Sequence, residues 1–592
     1  MQTTWNLEAL YPSFECEAFK EDRDKLEKAI GDYVQWAKSI EESSGALEDK
    51  LVEWIKVKEN IEYLVDRMGG LIHLTLSTEA KHTEAAKQKG YLDKLLSGTA
   101  QADAIMTKFI LKTEEVMATV KGSEKLQAYL FFFEEIIKLG CHTLDEKEEV
   151  IISRMRENGS TSWLDYKNLI ISTHKVAVEI EGKTEEMPLT MALNLAYDTR
   201  KEVRKKAYEA EIASYKQIEE GVAAALNGIK GQVLTLSELR GYASPLHMTL
   251  ENARMTKETL DAMLSAITES LPVFRTYLKT KANLLGYEKG LPFYELYAPV
   301  VENEETFTFE QGREFVLKNF ATFNTHLHDF AEKAFDQAWI DVFPKEGKRG
   351  GAFCRNLRSI GESRVLLNYG ESFSDVITLA HELGHGFHGA CLEGQSSLNT
   401  KYPMPLAETA STFCETIVKK AAIKEADADT AFAILETEIS DATQVIVDIY
   451  SRYLFETTVF EKRKEGFVSV EELKTAMTDA QTKAYGDGLD SEYLHPYMWT
   501  WKPHYYYEGS NFYNFPYAFG LLFAKGLYAK YLEDKENFPE AYEKLLAVTG
   551  RMSIEDVAKT MDINVSDVEF WRGSIRIIEE DVKKFMEIAK QK

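Results

Sequence analysis

The chain has 592 residues, 44% of them hydrophobic and 28% charged, with five cysteines and a net charge of −26. That length exceeds one compact core and calls for two or more domains or lobes, and the acidic balance repels phosphate backbones, which argues against nucleic acid as a partner. The cysteines are scattered with no C-x-x-C pair, which argues against a disulfide framework and fits a reducing, cytoplasmic compartment.

Residues 1–6 lack a basic start followed by an apolar run, so no secretory signal is expected. No apolar run reaches the roughly 18 residues of a membrane span, and no membrane partner is expected either. From Phe14 to Met187 there is no proline. Leu26, Ile30, Tyr33 and Val34 share one helical face, and Leu51, Trp54, Ile55, Val57 and Ile61 share another. These patterns predict an antiparallel helical bundle or array. Val176 to Ile180 then alternates and Glu181-Gly182-Lys183 can turn, which predicts a strand and hairpin. A boundary is placed there, near Pro188, giving an N-terminal helical domain over residues 1–185 and a second domain over 186–592. Helices resume with Asp198 as a candidate N-cap for the segment containing Lys201 to Ala207.

The segment Gly350–Tyr369 differs in kind. It carries three glycines and the β-prone run Val365-Leu366-Leu367-Asn368-Tyr369, which predicts a short antiparallel hairpin. After it the pattern is helical to the end, apart from an aromatic-rich stretch between Tyr493 and Phe519. The expected class is mainly α, with a small antiparallel sheet close to the helix described next.

His381-Glu382-Leu383-Gly384-His385 matches H-E-x-x-H. Two histidines four apart lie on one helical face and can reach one metal ion, with Glu382 able to address a water on that ion. Ser372 and Asp375 form a candidate capping box ahead of it, and Val376, Ile377, Ala380, Leu383 and Phe387 supply a stripe to bury. The alternative is two histidines on a packed structural helix. Gly384 and Gly386 each cost such a helix about 1 kcal/mol, which suggests a close approach by substrate or another helix. A catalytic zinc needs a third protein ligand and one open position. His388 and Cys391 stand where a motif ending in G-x-x-H would need Gly and His, so a carboxylate from a following helix is the remaining option. Glu408 is assigned that role. Glu415, two helical turns further on, is assigned to orient a ligand imidazole. His388 also falls on the side facing the site, as a hydrogen-bonding residue rather than a fourth ligand. In metal-assisted amide hydrolysis Glu382 would act as the proton-transferring base.

A second constellation runs from Trp501 to Tyr517 and is dense in aromatics. Two readings stand: a core helix with a tyrosine stripe, or a group in which His504 and one or two tyrosines donate hydrogen bonds to an oxyanion.

Taken together, His381-Glu382-Leu383-Gly384-His385-Gly386-Phe387-His388 and Ala407-Glu408-Thr409-Ala410-Ser411-Thr412 resemble the oligoendopeptidase F branch of the thimet-oligopeptidase family of zinc metallopeptidases. Supporting stretches are Trp5 to Tyr11, Leu239 to Tyr242, Gly347 to Cys354, Gly550 and Asp562-Ile563, so the resemblance spans nearly the whole chain. It implies two helical lobes enclosing a deep channel, one Zn²⁺ per chain, and short unstructured peptides as substrates cut at internal bonds. It also implies that a late histidine and tyrosines assist at the oxyanion, for which His504 and Tyr517, then Tyr513, are the matching positions. Two rival expectations are a zinc carboxypeptidase on a similar scaffold and a peptide-binding protein without turnover; the intact Glu382 speaks against the second. Oligomeric state is left open by the sequence.

Overall fold

A computed structural model of the chain describes residues 2–300 and 306–591. Helices dominate. Among the described residues five strands occur, β1 (Lys175–Ile180), β2 (Lys183–Pro188), β3 (Ile340–Asp341), β4 (Phe353–Leu357) and β5 (Glu362–Leu366), and they form two small sheets. Two compact units are built from interleaved segments. The first comprises Met1–Cys141, Glu305–Ala421 and Lys530–Ile563, and the second His142–Glu304, Ala422–Ala529 and Asn564–Lys592. The boundary expected near residue 185 falls inside β2 and inside the second unit. The chain changes unit at residue 141 instead, because the β1–β2 hairpin packs with helices that follow it. Among the described residues no helix is long and apolar enough to cross a membrane.

In the first unit the two predicted amphipathic helices are present as Glu17–Ser39 and Leu47–Thr78. Leu26, Ile30 and Tyr33 of one, and Leu51, Trp54, Ile55 and Ile61 of the other, are buried, while Val34 and Val57 sit at the edges of those stripes. Each such side chain is worth about 1.5–3 kcal/mol on burial. The core reaches the small sheet through Gly70, where a Cβ would meet Leu357 of β4 at 2.9 Å. That sheet has the order β3-β5-β4. The predicted antiparallel hairpin is there, with Phe353 opposite Leu366 and Leu357 opposite Glu362. A third strand, β3, adds in parallel to β5; two residues were too short a pattern to see in the sequence.

Next comes the helix carrying the H-E-x-x-H motif, Phe373–Cys391. The capping box forms as expected: Ser372 Oγ accepts from the Asp375 N–H at 3.2 Å, and Asp375 Oδ2 accepts from the Ser372 N–H at 2.9 Å. Such a cap contributes about 1 kcal/mol and fixes where the helix starts. Val376, Leu379, Ala380, Leu383 and Phe387 are buried, which anchors the helix and leaves one strip for His381 and His385.

In the second unit β1 and β2 pair antiparallel from Lys175 opposite Pro188 to Ile180 opposite Lys183. Their two-residue turn, Glu181-Gly182, has φ of +50° and +76°, the left-handed pair that tight hairpins favour. Asp198, three residues ahead of the helix Lys201–Ser214, accepts from the Arg200 N–H at 2.8 Å; it shapes the turn into that helix rather than capping it. Val176, Val178, Tyr215, Trp499, Tyr505 and Tyr506 share a buried core.

Candidate active site

The motif helix and the segment that follows it bring four predicted residues together in the first unit. His381 Nε2 and His385 Nε2 lie 3.1 Å apart. Glu408 Oε2 lies 3.3 Å from the first and 3.6 Å from the second. Two ring nitrogens and one carboxylate oxygen thus converge on one point, and the three residues could hold a metal ion. Glu408 is not inside a continuous helix as its spacing from Glu415 had suggested. It is the turn residue between the short helix Met404–Ala407 and the helix Thr409–Glu425, with φ −88° and ψ 3°. The turn swings its carboxylate toward the histidines, and Glu415, further along, still reaches the same cluster.

Each converging group has an outer neighbour. Glu415 Oε1 stands 2.5 Å from His381 Nδ1. Nδ1 therefore donates outward, and Nε2 is the nitrogen turned toward the cluster. The Ala407 backbone lies close enough to the His385 ring to raise its proton affinity, against its burial. Ser411 Oγ donates to Glu408 Oε2 at 2.9 Å. Lys419 Nζ pairs with Glu415 Oε2 at 3.0 Å, one helical turn on.

Ionisation follows from this packing. Burial alone would lower the proton affinity of His381, but the carboxylates of Glu408 and Glu415 more than offset it and raise its pKa. Burial, with the neighbouring His381 charge, lowers His385 to about 4. Glu408 is held low against its burial by the two histidines and Ser411. Glu382 is 5% exposed. Burial first, then repulsion from Glu408 and Glu415, pushes its carboxyl up to about 7, opposed by His381 and by a backbone hydrogen bond from Cys354 of β4. Its Oε2 has no hydrogen-bond partner among the described residues. A buried carboxyl with a free oxygen beside such a cluster is a candidate proton-transfer group.

The two motif glycines have steric reasons. A Cβ on Gly384 would meet the Ala410 carbonyl oxygen and Ser411 Cα at 2.7 Å, and one on Gly386 would meet the Phe330 ring at 2.6 Å. His388 does not face the cluster. It is fully buried, with Nε2 2.8 Å from Thr549 Oγ1, and its ring stacks on Tyr402 at 4.2 Å.

His504, Tyr513 and Tyr517 belong to the second unit. His504 lies in the turn Pro503–Tyr506. Its ring stacks on Tyr513 at 5.1 Å and 18°, and Tyr513 meets Tyr517 at 5.8 Å. Burial, with Arg452 and Lys502 nearby, lowers the His504 pKa to about 4 and keeps the ring neutral. The aromatic run divides in two. Tyr505 and Tyr506 are core residues at 1% exposure, whereas His504, Tyr507, Tyr513 and Tyr517 are half-buried. Ser411, Lys419 and the Cys354 backbone were missed from the sequence. Lys419 was findable as an i,i+4 partner of Glu415; a backbone donor carries no residue signal at all.

The peptidase family M3 model matches residues 194–577, well over half of the chain, and the oligopeptidase F model matches residues 111–175. The chain belongs to peptidase family M3, in its oligoendopeptidase F branch. M3 relatives align along nearly all of it. The oligopeptidase PepF of Bacillus subtilis is 24% identical over 99% of this chain and 87% of its own. An oligoendopeptidase F homolog of Lactococcus lactis is 26% identical over 99% and 97%. Among solved structures, a protein from Chlamydophila abortus superposes with a TM-score of 0.86 at 22% identity, covering 99% of this chain and 98% of its own. Oligoendopeptidase-F from Enterococcus faecium gives 0.70 at 18%, over 97% and 99%. These last two likenesses establish that the M3 fold is shared.

Proposed function

We propose that this chain is a zinc-dependent endopeptidase that hydrolyses internal bonds of short, unstructured peptides, with one Zn²⁺ per chain held by His381, His385 and Glu408. The donor triangle carries the reading. Its edges of 3.1, 3.3 and 3.6 Å bracket the roughly 3.3 Å expected between two ligand atoms about 2.0–2.1 Å from a tetrahedral ion. Two imidazoles and one carboxylate suit zinc, and three protein ligands leave a fourth position for chemistry. Zinc at these donors supplies Lewis acidity toward a water and a peptide carbonyl. Glu382, buried beside the donors with one oxygen free, takes the proton that the water loses and returns it to the leaving amine. His504, kept neutral, and Tyr517 with Tyr513 donate hydrogen bonds to the oxygen that gains charge as the carbonyl becomes tetrahedral. Strand β4, at one edge of its sheet, offers its backbone to an extended peptide.

The preference for short peptides draws on the names of the relatives, an oligopeptidase and an oligoendopeptidase. The division near residue 185 is one of sequence: the oligopeptidase F model falls before it and the peptidase family M3 model after it, while the compact units interleave across it. Five free cysteines suit a cytoplasmic setting. The test is a quenched fluorogenic peptide of about ten residues, with product masses and metal analysis. Internal cleavage that is lost on chelation and restored by zinc is the expected result. Release of single C-terminal residues, or turnover indifferent to chelation, would overturn the reading.

A further inference from the structure

The irregular segment from Glu508 to Asn514 in the second unit is clamped from Asn511 onward. Phe512 has φ +53°, the left-handed region that a bulky L-residue avoids. Its N–H donates to Glu456 Oε2 at 3.1 Å, and Glu456 Oε1 accepts from Lys230 Nζ at 2.6 Å. Lys230 also donates to Asn511 Oδ1 at 2.9 Å, and Asn511 Nδ2 donates to the Glu508 carbonyl at 3.0 Å. Thr249 Oγ1 donates to the Asn511 carbonyl at 2.9 Å, and Arg452 Nη1 to Asn514 Oδ1 at 3.2 Å. The Phe512 ring is itself fixed against Phe460 and Tyr453, at 5.6 and 5.5 Å.

Lys230 and Glu456 are only 1% and 2% exposed. A buried ion pair adds little net stability, because two apolar side chains would fill the same space without desolvation. What an apolar pair could not do is accept the Phe512 N–H and hold Asn511, and so impose one strained backbone conformation. Strain of this kind persists only where surrounding contacts over-determine it. Here it delivers the next residue, Tyr513, face to face with His504.

We infer that the buried Lys230–Glu456 pair is a positioning device for the His504–Tyr513 stack, acting through the Asn511–Phe512 turn. The inference rests on the reading of His504 as an oxyanion donor. It predicts that Glu456→Gln, which keeps the shape but removes the charge, lowers kcat by about tenfold with KM within about twofold. Zinc content should be unchanged. The decisive readout is a double-mutant cycle with His504→Ala. If the pair acts through the stack, Glu456→Gln costs little further once His504 is gone, whereas a general structural role multiplies the two losses. Multiplying losses, or an unchanged kcat in Glu456→Gln, overturns the inference and leaves the proposed activity standing. A His504→Ala variant as fast as the wild type, or a wild type without peptidase turnover, removes the reading on which the inference rests and the inference with it. Should Glu456→Gln fail to fold, Thr249→Val removes one hydrogen bond to the same turn at nearly constant volume, and the same cycle with His504→Ala decides.

Discussion

Gly384→Ala sets two effects of opposite sign against each other at the closest point between the motif helix and the helix Thr409–Glu425. Alanine favours a helix over glycine by about 1 kcal/mol. The new methyl, however, would stand 2.7 Å from the Ala410 carbonyl oxygen and Ser411 Cα. Both are backbone atoms, so no rotamer change relieves the contact. Restoring an ordinary separation of about 3.5 Å moves the two segments apart by roughly 0.8 Å. Overpacking of this kind costs about 1–3 kcal/mol, so the net effect on stability lies between nothing and a loss of about 2 kcal/mol. Metal binding should suffer more clearly. His385 is one residue from the methyl and Glu408 two residues from Ala410, so the 3.6 Å edge between them opens toward about 4.4 Å, past the roughly 0.5 Å that a preorganised site tolerates. Zinc affinity should fall at least about tenfold, about 1.4 kcal/mol. Competition with a chromogenic chelator measures the affinity, and Tm with and without zinc gives the stability and a smaller zinc-induced shift. A variant that gains about 1 kcal/mol and binds zinc like the wild type would refute the close-approach account.

Glu382→Gln should keep stoichiometric zinc and lose nearly all turnover; wild-type activity there would sink the proton-transfer role. Glu408→Ala should weaken zinc binding strongly, and Glu415→Ala by about 10- to 100-fold, the range for a group that orients a ligand; normal zinc binding by Glu408→Ala would show the third ligand to be misassigned. Tyr517→Phe and His504→Ala should each lower kcat by about 10²–10³-fold with KM nearly unchanged and zinc content normal. A silent Tyr517→Phe beside a slow Tyr513→Phe would move the hydroxyl role to Tyr513.

What was legible in the sequence was whatever repeats at a local spacing. The capping box at Ser372, the histidine pair and the stripe from Val376 to Phe387 need only helix geometry, and all three are present. The β1–β2 hairpin announced itself through alternation and a turn. Less visible was anything set by distant packing. The kink that makes Glu408 a turn residue has no local signal, since neither glycine nor proline stands at positions 408–410. The orientation of His388 depends on Thr549 and Tyr402, neither of them near it in sequence. The aromatic run could not be divided from sequence because Tyr505 and Tyr513 are chemically alike, and only burial separates core from half-exposed face.

The outer partners of the metal-ligand candidates share one origin. Ser411 holds Glu408 and Glu415 holds His381, and the backbone of Ala407 neighbours the His385 ring. One stretch from Ala407 to Glu415 therefore supplies a ligand candidate and groups that stand against all three. On His381 the hydrogen bond sits on the far nitrogen, Nδ1, and turns Nε2 inward; on Glu408 it sits on Oε2, the oxygen that itself faces the histidines, so both side chains are held in place by this stretch. The arrangement works only if that stretch keeps a fixed distance from the motif helix, and a glycine at position 384 is what lets the Ala410–Ser411 backbone come that near. The glycine between the two histidines thus belongs to the candidate metal site as much as the histidines do. Its cost in helix propensity is repaid in the alignment of the neighbouring segment.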